Sequence, residues 1–250
     1  MSSSTDSLVA TVATAAASPR GWGAELVARA RYQFLLKTVG ITAFTLVFFI
    51  GYFWVLRNPS GPATLMPLTA VDRWVGFQPL ALAPYLTLWL YVGFAPGLAS
   101  SLRRLFVHGV WAAGLCATGL LIFYFWPTVV PARPPEAALY PGFALLEGVD
   151  ATGNACPSLH VAVAIFSAIC LEHLLRQIRA PAALRLLNAG WFVAIAWSTL
   201  AVKQHVALDA AAGALLGTAF ALASLRWRPG GWFAERERLV AADIIRRRDV

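Results

Sequence analysis

Charge is scarce in this chain. Only 13% of its 250 residues are Asp, Glu, Lys or Arg, about half the share of a typical soluble domain. Hydrophobic residues make up 59%, which excludes an ordinary soluble fold and points to lipid as the solvent. Cysteine is nearly absent too. Cys116, Cys156 and Cys170 are too few for a disulfide framework and match no zinc signature. Cys116 and Cys170 sit in apolar runs and read as small packing residues, whereas Cys156, beside the most informative motif, reads as a packing residue or as a substrate contact. What charge there is leans basic, with twenty Lys and Arg against twelve Asp and Glu. A basic balance can signal nucleic acid, but the placement of the charge argues for no nucleic-acid partner.

The apolar residues gather into runs. A membrane helix needs about 20 predominantly apolar residues, and six stretches qualify: roughly Val39–Leu56, Leu80–Ala99, Leu105–Trp126, Leu159–Leu175, Leu184–Val202 and Val206–Leu225. No segment alternates as a barrel strand does. The fold expected is therefore all-α, a six-transmembrane-helix bundle over residues 38–226. Residues 1–37 read as a cytosolic tail with an amphipathic lead-in from Trp22 to Lys37, lacking the basic start and apolar centre of a secretory signal. Residues 227–250 read as a basic amphipathic cytosolic tail, helical from Trp232 to Val250 against anionic lipid. The fifth and sixth spans, a few residues apart, should form a tight antiparallel hairpin. The proline-rich stretch from Pro127 to Ser158 should pack over the bundle.

Orientation follows from the basic residues. With the N-terminus inside, Arg20, Arg29, Arg31, Lys37, Arg103, Arg104, Arg176, Arg179 and Arg185 fall on the inner side. Arg226, Arg228, Arg236, Arg238, Arg246, Arg247 and Arg248 join them, leaving only Arg57, Arg73, Arg133 and Lys203 outside. The positive-inside rule then puts both termini in the cytoplasm. The Ala- and Arg-rich composition leans towards a bacterial inner membrane.

Ionisable residues near membrane depth are costly and mark function by default. Here they cluster twice, on the same expected outer side. Lys203-Gln-His-Val-Ala-Leu-Asp209 lies between the fifth and sixth spans. If the sixth helix starts near His205, Asp209 shares its face at i,i+4, and a carboxylate so placed holds the imidazole's tautomer for attack or proton transfer. The bland alternative is a His–Asp pair that merely hides polarity. Asn154-Ala-Cys-Pro-Ser-Leu-His160 opens the fourth span. Pro157 suits a helix's first turn, Ser158 offers a hydroxyl, and helix N-termini bind anions. His160 in that first turn can exchange a proton with a bound phosphate ester. The other polar residues read more plainly. His108 and His173 are interfacial or capping, Glu172 pairs with Arg176, and Asp150 and Asn154 either cap or line the pocket mouth. Asp72 and Arg73 contact headgroups.

These motifs resemble the type 2 phosphatidic acid phosphatase superfamily, six-span enzymes with three motifs on one membrane face. Pro157, Ser158, Leu159 and His160 meet its Pro-Ser-x-His. Ser198, His205 and Asp209 meet Ser-Arg-x5-His-x3-Asp, with Thr199 in place of the arginine. Arg133-Pro134 keeps the end of Lys-x6-Arg-Pro, with Trp126 in place of the lysine. The departures are similar to the branch that includes inositol phosphorylceramide synthase. The resemblance implies an active site at the outer (periplasmic or lumenal) face that cleaves or transfers the phosphoryl group of a lipid phosphate or phosphodiester. It implies a phosphohistidine at His205 oriented by Asp209, with His160 as acid and base. Arg133, Ser158, Lys203 and Ser198 would hold phosphate, with Lys203 and Arg133 making up for the lost cations. Water, or an alcohol such as inositol, accepts the phosphoryl group, with no cofactor or metal. Two other readings remain: a transporter or scaffold with a His/Asp proton relay, and a catalytically silent relative. A relay predicts polar residues through the bilayer centre, whereas these gather at one edge.

Overall fold

The computed structural model describes residues 21–143 and 153–226. In chain order its elements are α1 (Trp22–Arg31), α2 (Phe34–Arg57), β1 (Thr64–Leu65) and α3 (Ala70–Trp74). The second span is a 3-10 turn at Pro79–Ala81 followed by α4 (Leu82–Leu86) and α5 (Leu88–Gly97). Then come α6 (Leu102–Phe125), β2 (Thr128–Val129), a 3-10 turn at Pro135–Leu139, α7 (Leu159–Gln177), α8 (Ala182–Ala201) and α9 (Ala207–Arg226). Among the described residues, six segments are long and apolar enough to cross a bilayer: α2, Pro79–Gly97, α6, α7, α8 and α9. The chain is thus an all-α, multi-pass integral membrane protein. Helices satisfy every backbone group within the segment, which hydrocarbon demands.

The second span is broken at Thr87, three residues after Pro84. The amide of Thr87 reaches both Ala83 and Pro84 carbonyls, and the Thr87 hydroxyl donates to the Pro84 carbonyl at 2.6 Å. Trp191 of α8 donates its indole N–H to that hydroxyl at 2.9 Å. A neighbouring helix thus ties down the break.

The spans run alternately up and down. At one end, the Lys37 ammonium of α2 donates to the carbonyls of Arg29 and Gly97, and Arg104 of α6 donates to Gln177 of α7. At the other, Gln78 donates to the Ala201 carbonyl and Ser158 to the Asp209 carbonyl. Two short strands close this second end, β1 pairing in parallel with β2. Glu172 pairs with Arg176 at 2.6 Å as expected, and also with Arg185 at 2.7 Å.

α7 stands at the centre and buries ten residues. α9 packs against it through a stripe of buried Asp209, Gly213, Gly217 and Ala221. A Cβ at Gly213 would lie 2.2 Å from the Ser158 carbonyl oxygen, and one at Gly217 would lie 2.1 Å from that of Ala162. The spacing Gly-Ala-Leu-Leu-Gly therefore lets two backbones touch, as small residues do between membrane helices.

Three helix boundaries differ from expectation. The lead-in is broken after Arg31, because Gln33 takes a left-handed conformation (φ 49°) before α2 begins at Phe34. Pro157 lies outside the first turn of α7, which Ser158 caps instead by accepting from the Val161 amide at 3.3 Å. α9 begins at Ala207 rather than near His205, since the Asp209 carboxylate takes up the Val206 amide. Asp150, residues 1–20 and the tail 227–250, with the helix expected from Trp232 to Val250, lie outside the described residues.

Candidate active site

α8 ends in a way that presents His205. Lys203 turns left-handed (φ 60°), and the amides of Gln204 and His205 both return to the Thr199 carbonyl at 3.1 Å. Such a reversal satisfies helix-end carbonyls and leaves His205 in a short turn ahead of α9. Its Nδ1 lies 2.9 Å from Asp209 Oδ2. Asp209 is fully buried, and its Oδ1 accepts from the amides of Val206 at 2.7 Å and Ala210 at 3.1 Å. The i,i+4 contact expected on a helix thus forms, but across a helix start.

His160 comes from the first turn of α7. Its Nδ1 is 3.2 Å from His205 Nε2, and its Nε2 is 2.8 Å from the Tyr85 hydroxyl of α4. The two imidazole rings sit 5.3 Å apart, and Trp89 of α5 presents an edge to His160 at 6.3 Å. Ser158, fully buried, donates its amide to the Asp209 carbonyl at 2.9 Å. The first-turn amides of α7, which have no intrahelical acceptor, start beside the two histidines and favour negative charge.

The other residues singled out in the sequence occupy different surroundings. Arg133 Nη2 donates to Gln204 Oε1, its Nε donates to the Val202 carbonyl at 3.3 Å, and its guanidinium lies 5.8 Å from the Phe143 ring centroid. It is thereby held one residue from His205. The Lys203 ammonium donates to the carbonyls of Asp72 (3.0 Å) and Val75. Burial lowers its pKa, partly opposed by the Asp72 charge. Ser198 is not brought to the histidines' hydrogen bonds: fully buried, it donates to the Ile195 carbonyl at 2.6 Å within its own helix. Thr199 does likewise to Ala196, and Trp126 caps the end of α6 with 48% of its surface exposed.

Asp72 does not reach outward to headgroups. Buried at the end of the bundle, it accepts from the Thr69 amide and hydroxyl and, through Oδ1, from the Ala207 amide at 2.7 Å. Burial pulls its pKa upward, but the Thr69 and Ala207 bonds and the Lys203 charge outweigh burial and leave it lowered. Asp72 thus fastens the start of α9 to the loop before the second span. Cys156 packs with Met66, Val130, Ala155 and Val206. Burial and then the Asp209 charge push its thiol up to about 11, so it stays protonated and is no nucleophile. His108, expected at the interface, instead faces the interior and packs its ring 5.1 Å from Phe166.

A cavity of about 780 Å³ runs inside the bundle. Its walls include Leu36 to Tyr52 on α2 and Leu102 to Phe123 on α6, so it follows the bundle axis for roughly 25–30 Å. His160, His205, Tyr85, Asn154 and Gln204 line it, and the rest of its wall is overwhelmingly hydrocarbon. Asn154, left-handed at φ 53°, donates to the Tyr52 carbonyl. A second cavity of about 570 Å³ meets His205 from the loop side, lined by Asp72, Phe77, Glu136 and Lys203 among others. Only His205, with its neighbour Val206 on one side and Gln204 on the other, borders both spaces from the α8–α9 turn.

Sequence reasoning missed Tyr85 and Trp89, which read as part of an apolar run, and the tie between Arg133 and Gln204. Among the described residues, no three His, Cys, Asp or Glu are grouped to hold a metal ion. Neither the curated proteins nor the solved structures contain a match to this chain. Residues 128–232 match the PAP2 superfamily, a stretch that takes in Arg133, Ser158, His160, His205 and Asp209 and thus most of the site just described.

Proposed function

We propose that this protein is a membrane enzyme that removes the phosphoryl group from a lipid phosphate by way of a phosphohistidine on His205. What supports this most is the hydrogen-bonded row His160–His205–Asp209 standing at the head of a long apolar cavity. Protein interiors rarely keep voids larger than a water molecule. A hydrocarbon-walled space of this size suits an apolar tail, with the polar end of the molecule at the histidines. The match of residues 128–232 to the PAP2 superfamily points the same way.

In the first step the His205 Nε2 lone pair attacks phosphorus, and the bond to the lipid oxygen breaks. His160, which lines the apolar cavity, gives that oxygen its proton. In the second step water attacks phosphorus, its proton passes to His160, and the electrons of the P–N bond return to Nε2. Asp209 holds the Nδ1 proton of His205 throughout and balances the charge on the ring. Arg133, the first-turn amides of α7 and Ser158 stabilise the phosphoryl oxygens, where most of the catalytic gain in phosphoryl transfer arises. Two Lys203 protons lie on carbonyls, leaving a third for the ligand in the loop-side cavity. An alcohol such as inositol can take the place of water in the second step.

The active site faces outward in this reading. The basic residues Arg103, Arg104, Arg176, Arg179 and Arg185 fall at the opposite end of the bundle from the histidines, which supports cytoplasmic termini. The test is to incubate purified protein in detergent with a labelled lipid phosphate, with and without inositol, and resolve the products by mass. Wild type should release phosphate or transfer it to the alcohol, and denatured protein should carry one phosphoryl group. His205→Ala should lose both the product and the adduct while still inserting and folding. Full turnover by that variant would sink the mechanism.

A further inference from the structure

We propose that Tyr85 is a positioning residue that holds His160 by Nε2, so that Nδ1 is the atom that gives and takes the catalytic proton. This rests on the functional reading above and assigns a part to a residue outside the three motifs.

The hydrogen count along the row leads to it. Both Asp209 oxygens accept: Oδ1 from two backbone amides, Oδ2 from His205. His205 Nδ1 therefore carries a proton, and neutral His205 has a bare Nε2, as a nucleophile must. The 3.2 Å contact between that Nε2 and His160 Nδ1 then needs its hydrogen on the His160 side. Neutral His160 with Nδ1–H has a bare Nε2, and the Tyr85 hydroxyl, 2.8 Å away, donates to it. When His160 gains a second proton, Nε2–H donates to the Tyr85 oxygen and the phenol hydrogen turns away. One tyrosine oxygen thus serves both protonation states without a ring flip. The two imidazoles must part to admit a phosphoryl group, and Tyr85 fixes which edge of His160 faces it.

The surroundings hold this arrangement firm. Tyr85 is 2% exposed, its ring lies 4.9 Å from the imidazole at 30°, and Trp89 covers another side. Among the described residues, the titratable groups facing His160 include Tyr85 on α4, His205 in the α8–α9 turn and, behind His205, Asp209 on α9. Arg133 is the cation that Gln204 draws to that turn. A buried phenol seeks a hydrogen-bond partner, and here an imidazole supplies one. A hydrogen bond to a charged group outweighs a neutral one, so Tyr85 favours the imidazolium, the form that acts as acid.

The test is Tyr85→Phe, which keeps the ring against the imidazole and deletes the oxygen. The alkaline limb of kcat/KM, which reports the acid of the free enzyme, should move down by about half to one pH unit. The ratio of turnover on a lipid phosphate to that on an aryl phosphate, whose phenolate leaves without a proton, should fall about tenfold. A uniform loss with the same limb and the same ratio would leave Tyr85 a packing residue only and overturn the proposal. A measurement on the intact protein stands beside the variant: nitrogen NMR of histidine-labelled enzyme in detergent should find neutral His160 as the Nδ1–H tautomer. An Nε2–H tautomer overturns the assignment even if the variant does not fold. If instead His160→Ala keeps the wild-type rate and pH profile on lipid phosphate, the functional reading itself fails, a separate outcome.

Discussion

Replacing Asp209 with asparagine should separate the chemistry of the site from its stability. Oδ1 of Asp209 accepts two amides, from Val206 at 2.7 Å and Ala210 at 3.1 Å. An asparagine keeps its oxygen where two N–H groups point, so its NH2 must take the place of Oδ2 and face His205 Nδ1. That nitrogen can then only accept, the proton moves to Nε2, and the lone pair needed for attack is lost. In a Ser-His-Asp triad the same change, by forcing the wrong tautomer, costs about 10⁴ in kcat, and a loss of about 10³–10⁴ is expected here. Stability should suffer far less, because the two amides stay satisfied and one charge-assisted bond becomes neutral, a difference of about 1–2 kcal/mol. Asp209→Ala strips both amides and the imidazole of their partner and should cost about 3–5 kcal/mol. The assay is phosphate release from a lipid phosphate in detergent, paired with thermal unfolding. An asparagine variant within tenfold of wild type would refute the reasoning about tautomers.

Four further expectations follow from the packing and the charges. Gly217→Ala drives a methyl against the Ala162 carbonyl oxygen and should lower stability by about 1–3 kcal/mol, read as a fall in unfolding temperature. Gly190→Ala, with nothing within 4 Å of its Cβ, should be neutral or gain up to about 1 kcal/mol. The lowered pKa of Asp72 means that its contribution is full above the unfolded carboxylate value and is lost as pH falls through the folded one. Wild type should therefore lose unfolding temperature below the ordinary carboxylate range, whereas Asp72→Asn should start lower and change less. A cysteine at the exposed Ala138 should react with an impermeant thiol probe on whole cells, and labelling only after lysis would reverse the orientation.

The spans were legible because lipid leaves a coarse signature: length and apolarity alone mark the six segments. The break of the second span at Thr87 gave no sign within its apolar run, nor did the Trp191–Thr87 bond that secures it. Spacing pointed to the neighbourhood of His205 and Asp209, but not to the start of α9, since a carboxylate that caps its own helix can move that start by two residues. Tyr85 was hidden because an apolar run gives no sign of which hydroxyl meets an imidazole 75 residues away. Lys203 shows the limit of charge counting: a cation expected to meet phosphate has two carbonyls for partners. Gly213 and Gly217 were plain to see, but their meaning depends on the partner surface, which only the fold supplies.

The contact of α9 with α7 fixes one side of the site. Ser158, His160 and Asp209 ride on a pair of helices whose backbones touch at Gly213 and Gly217, with His205 in the turn that leads into α9, so the reacting groups are clamped together. The opposite wall of the cavity is α2, of whose 24 residues only Lys37, Tyr52 and Val55 are buried. That wall is tied to the rest by bonds such as Lys37 to the Gly97 carbonyl and Asn154 to the Tyr52 carbonyl, and its many unburied positions lie apart from the α7–α9 contact. In the proposed reading, tail preference and chemistry are thereby separable traits: substitutions along α2 should retune which lipids enter, while the stiff pair should keep the chemistry unchanged.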